Sequence, residues 1–151
     1  MSLYFALKTL HILSSTILFG TGIGIAFFMF RSQFTSNIHE KCYAARNTVV
    51  ADYLFTFPAV VVQPLTGLWL IHEAGYDWTD RWLVATYAIY LLAGACWLPV
   101  VWIQIQLKKM LTAAVNTGTA LPSRYHRLLK RWSVLGWPAF SCLVVVFWLV
   151  V

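Results

Sequence analysis

The sequence predicts an all-α bundle of four transmembrane helices with both termini outside. Three observations carry that prediction: composition, the length of the apolar runs, and the placement of the basic residues. Hydrophobic residues make up 60% of the 151-residue chain, aromatics 17% and charged residues 11%, with a mean hydropathy of +0.71. Soluble domains carry about 25% charged and about 45–50% apolar residues, so a water-facing globule is excluded. Eight Trp, seven Tyr and ten Phe exclude a disordered chain. The length suits one domain spanning 1–151. Cys42, Cys96 and Cys142 have no paired short spacing, which argues against a disulfide framework or a zinc knuckle.

Apolar runs of about 20 residues are long enough to cross a bilayer as helices, and four such runs occupy 3–30, 48–71, 82–107 and 132–151. Helix is the form expected, because unsatisfied backbone is not tolerated in lipid. The first run lacks a small-x-small cleavage site followed by polar sequence, so it reads as a retained span. Loop 31–47 carries Arg31, Lys41 and Arg46, and loop 108–131 carries Lys108, Lys109, Arg124, Arg127, Lys130 and Arg131. Loop 72–81 is net acidic, with Glu73, Asp77 and Asp80 against Arg81. By the positive-inside rule, loops 31–47 and 108–131 face the cytoplasm. The net charge of +6 is thereby explained as topology, and nucleic acid is not an expected partner. Asn116-Thr-Gly-Thr and Leu121-Pro break the third loop, so 108–115 is expected to continue span three and 124–131 to form a basic turn of helix leading into span four.

Ionisable residues inside spans mark the places to seek function. His11 lies about 10 Å inside the outer end of span one at 1.5 Å per residue. At 100° per residue Ser15, Leu18 and Gly22 share its face, while Gly20 and Gly24 form a small-xxx-small strip suited to close packing, including a homo-oligomer. Neutral imidazole is a common metal ligand and the usual axial ligand of haem iron. His11 is therefore the candidate haem ligand, lined by Ser15 and Gly22, with His72 at the outer end of span two as a second. Asp52 lies one turn inside span two and needs a partner, for which Arg31 or Arg46 is the natural candidate. Asp52 and Gln63 on span two, with Tyr90, Gly94, Trp97, Val101 and Gln104 on span three, form a seam able to relay protons or to fix helix ends. Pro58, Pro64, Pro99 and Pro138 lie within spans and kink helices, opening room for a ligand. No nucleophile with a neighbouring base, phosphate loop or paired-carboxylate site is present in the sequence.

Leu7-Lys-Thr-Leu-His11-Ile-Leu, Phe19-Gly-Thr-Gly-Ile-Gly, Ala51-Asp52-Tyr53, Gln63-Pro64-Leu65-Thr66-Gly67, Cys96-Trp97-Leu98-Pro99 and Gly136-Trp137-Pro138-Ala139-Phe140 resemble a family of bacterial predicted integral membrane proteins of unknown function, over essentially the whole chain. More distantly, the Leu-His opening of span one is similar to the four-helix protoporphyrinogen IX oxidases and to the copper-resistance D membrane proteins. That resemblance implies haem b at His11 and a haem-dependent membrane oxidoreductase, acting on a porphyrinogen or passing electrons to a quinone. It also implies the bacterial inner membrane. Two alternatives stand beside it: a small transporter or channel using the Asp52–Gln63–Gln104 seam, and a non-catalytic accessory subunit.

Overall fold

The computed structural model describes residues 3–150, and each of the four apolar runs lies in a helix. Met1, Ser2 and Val151, at which the expected domain begins and ends, lie outside the described residues. The elements are α1 (Leu3–Arg31), a 3-10 turn (Ser32–Phe34), α2 (Ile38–Ala51), a π-helical segment (Asp52–Thr56), α3 (Phe57–Ala74), α4 (Arg81–Thr117) and α5 (Ser123–Val150). With α2, the π segment and α3 running as one rod, four helices are long and apolar enough to cross a membrane.

Two of these rods exceed a bilayer. Ile38–Ala74 and Arg81–Thr117 each hold 37 residues, about 55 Å of helix against a hydrocarbon core of about 30 Å. The surplus gathers at the basic end. There Met29, Cys42, Ala45, Ile103, Leu107, Leu111, Tyr125 and Leu128 form the one buried core cluster found among the described residues. Along the spans, large apolar side chains such as Phe28, Leu91 and Trp148 lie exposed, as a lipid-facing surface requires.

Loop 31–47 is much shorter than expected, because α2 begins at Ile38 and places Lys41 and Arg46 on a helix. Asn37 caps it, its side chain accepting from the His39 N–H at 2.9 Å, with Glu40 in the first turn where the helix dipole favours an acid. Loop 108–131 contracts to the residues between α4 and α5, and the helical continuations expected at both of its ends are present. Gly118 closes α4 with a φ of 67°, and Gly75 closes α3 with a φ of 70°; both positions require the left-handed backbone that glycine adopts freely.

The π segment has a visible cause. Pro58 has no N–H and its ring crowds the carbonyl four residues earlier, so the helix widens by one residue just before it. The Phe57 N–H then bonds to the Asp52 carbonyl, five residues back. Pro64 similarly deprives the Val60 carbonyl of its helical partner, and Tyr90 of α4 repairs the loss by donating its hydroxyl to that oxygen at 2.8 Å. In packing, α1 lies along α3, α4 lies along α5, and α2 touches both α1 and α4. The two pairs are held together at the basic end by α2 and part around a cavity further along.

Candidate functional site

Two polar clusters lie within the spans. The first surrounds His11. Its Nδ1 is 2.8 Å from Thr66 Oγ1, and its Nε2 is 3.1 Å from Gln63 Nε2. The Thr66 hydroxyl donates to the Val62 carbonyl at 2.7 Å, so it receives the Nδ1 proton. Gln63 donates its amide N–H to Nε2 and accepts from Ser14 Oγ. With the amide oriented this way, the imidazole is neutral, Nδ1-protonated, and has a partner on each nitrogen. Its edge rests on Gly67, where an added Cβ would stand 3.1 Å from His11 Cε1. Glycine here lets the imidazole approach the α3 backbone closely.

This geometry answers the iron-ligand expectation. Neither ring nitrogen has a free lone pair aimed at space, and His11 lines neither the cavity between α1, α4 and α5 nor the groove between α1 and α2. His72 is exposed on the last turn of α3, about 9 Å along the axis beyond Thr66. Ser15 turns to its own helix, donating to the Ile12 carbonyl, and the neighbouring Ser14 takes the place predicted for it. Gly22 is three turns away. Among the described residues no three His, Cys, Asp or Glu side chains converge on a common metal position. The residues as arranged do not fit an axially ligated haem at His11.

The second cluster is built around Asp52. The π segment turns Asp52 and Thr56 toward α4, where the carboxyl meets Thr56, Gln104 and Trp97. These side chains line a cavity of about 510 Å³ between α1, the π segment, α4 and α5. Tyr90, Gly94, Trp97 and Gln104, grouped on one stripe by helical periodicity, all line it, while Val101 gives way to Val100. Leu18, Gly22 and Ala26 of α1 and Trp132, Gly136 and Phe140 of α5 complete the wall. Gly22, Gly94 and Gly136 come from three different helices, and a Cβ at any of them would meet no atom within 4 Å. Their missing side chains are part of why the space exists.

Asp52, Thr56, Gln104 and Trp132 are 4%, 4%, 2% and 7% exposed. Asp52 Oδ2, Thr56 Oγ1, Gln104 Oε1 and Trp132 Nε1 each lack a hydrogen-bond partner. The expected arginine clasp is not made. Arg46 is exposed on α2, and Arg31 borders a separate groove between α1 and α2. The expected seam is also divided, since Gln63 belongs to the His11 cluster while Asp52 and Gln104 share the cavity. Thr56, Trp132 and Gly136 were not legible as site residues, although Thr56 stands one helical turn from Asp52 and Gly136 is an unexplained mid-span glycine. Gly24 borders the Arg31 groove, and a Cβ at Gly20 or Gly24 would meet no atom within 4 Å.

Four membrane-length helices enclosing a polar-floored cavity define an integral, multi-pass membrane protein. Residues 5–151 match the family described as predicted integral membrane protein (DUF2269), and the chain belongs to that family. No curated protein and no solved structure matches the chain.

Proposed function

We propose that this protein binds a lipophilic small molecule inside the membrane, in the cavity floored by Asp52, Thr56 and Gln104. One observation carries the reading: four buried polar atoms without a protein partner line the same cavity. A buried polar group left unpaired costs about 1–3 kcal/mol, and four in one place are accounted for by an occupant that pairs them. The size supports it, since pockets for small ligands run from about 300 to 1,000 Å³ and are mostly apolar with a few convergent polar groups.

The redox reading changes its centre of gravity. The distant resemblance implies a porphyrin or a quinone, and either class is offered the cavity. A haem on His11 would first have to displace Thr66 or Gln63, and no step is derived through one. The channel alternative is less favoured, because Gln63 belongs to the His11 cluster while Asp52 and Gln104 line the cavity, and a purely accessory role gives no account of the unpaired atoms. The basic end, where all nine cations of the two predicted inner loops gather, is read as cytoplasmic, in the bacterial inner membrane.

Thermal unfolding of the detergent-purified protein tests the proposal, with a short-tail hydroquinone, protoporphyrin IX and a lipophilic amine as probes. A ligand at a hundred times its Kd stabilises by about 2.7 kcal/mol. At least one probe is expected to raise the wild-type midpoint and to leave that of Gly136→Leu unmoved. No shift with any probe, or equal shifts in both proteins, overturns it.

A further inference from the structure

The unpaired atoms also specify the polar end of the occupant, if the cavity is a binding site as proposed. Asp52 Oδ2 and Gln104 Oε1 make no hydrogen bond of their own, although Thr56, Gln104 and Trp97 stand against the carboxyl. A quinone, which only accepts, would leave both as they are. No lysine, arginine or histidine lines the cavity, so the carboxyl meets no protein cation there. Trp97 stands at the carboxyl, and Trp132, Trp137, Tyr90 and Phe140 line the same cavity. Indole and phenyl faces attract cations, most strongly where water is excluded. A buried carboxylate without a counter-charge is costly in lipid, and a ligand that brings the charge removes that cost.

We infer that the cavity selects a lipophilic amine in its protonated form, with Asp52 as its counter-charge, Gln104 Oε1 as a second acceptor for its N–H groups, and the tryptophan faces around its apolar part. Trp132 Nε1 is then left to donate to any carbonyl or hydroxyl the same molecule carries.

A matched pair of probes tests this by calorimetric titration of the full-length protein in detergent. 4-Phenylbutylamine is protonated at neutral pH, and 4-phenylbutan-1-ol has the same shape without the charge. Wild type is expected to bind the amine at least about tenfold more tightly than the alcohol. Asp52→Asn should remove most of that preference, and Asp52→Glu should retain it. Equal wild-type affinities for amine and alcohol overturn the inference and leave the cavity reading standing, and this comparison needs no variant to fold. An undiminished preference in Asp52→Asn overturns it as well. If neither probe binds wild type, or both bind Gly136→Leu as well as wild type, the cavity reading itself falls.

Discussion

His11 and Gly67 depend on one another. A glycine inside a helix costs about 1 kcal/mol relative to alanine, and Gly67 is tolerated because an imidazole edge occupies the place of its side chain. In wild type, Gly67→Ala forces that ring aside, and overpacking of this kind costs about 1–3 kcal/mol. With His11→Ala in place the same substitution meets open space and should stabilise by about 1 kcal/mol. Unfolding midpoints of the two singles and the double form a cycle, and an identical effect of Gly67→Ala in both backgrounds would show that the contact does not exist. His11 itself is expected to act through Gln63 and Thr66. Hydrogen bonds between membrane helices are worth on average about 0.6 kcal/mol and at most about 1.7, so a His11→Ala, Gln63→Leu cycle should give a coupling energy in that range. A coupling indistinguishable from zero would contradict the network. The histidine was legible as an anomaly in the sequence, but its partners were not. Helical periodicity groups residues on one helix, whereas both of its ring partners belong to another, and no local pattern announces which helix will lie opposite.

Elements show the same division between local cause and distant consequence. Pro64 withholds an N–H from the Val60 carbonyl, and Tyr90 supplies the missing donor from α4. Tyr90→Phe should therefore cost about 0.6–1.7 kcal/mol in wild type and almost nothing with Pro64→Ala, which restores the helical donor. An equal cost in both backgrounds would detach the tyrosine from the proline. At the turn between α3 and α4, Asp77 Oδ1 accepts from the Thr79 hydroxyl at 2.7 Å and from the Thr79 N–H at 2.9 Å. These bonds, the hydroxyl first, hold its carboxyl below the usual range. A depressed carboxylate contributes stability that is present above its unfolded value, about pH 3.9, and lost as pH falls through the folded one. The midpoint difference between wild type and Asp77→Ala should be small at pH 7 and close as the pH is lowered toward 3. A difference that widens on acidification would reverse the assignment. Prolines and capping residues are readable one by one. The helix that starts at Ile38 had its signal too, in Asn37 and Glu40 three residues apart, but the charged loop around it masked the short apolar face of Cys42, Ala45 and Val49.

For the whole molecule, four spans and the continuation of the third at its basic end follow from apolar runs and from Gly118, features that each segment carries within itself. The cavity does not, because it is made by what four segments lack when brought together: side chains at Gly22, Gly94 and Gly136, and partners for Asp52, Thr56, Gln104 and Trp132. Three mid-helix glycines and a set of orphaned polar atoms are destabilising features, and proteins retain such features at sites where binding needs them. Filling the space should then strengthen the fold and abolish its use. The decisive measurement is on Gly136→Leu, taking its unfolding midpoint and its affinity for the best wild-type probe in the same detergent. Leucine there replaces a helix-weakening glycine with a side chain that meets open space. The account predicts a midpoint at or above wild type together with binding lost by at least about tenfold. An undiminished affinity in a folded Gly136→Leu protein would contradict it.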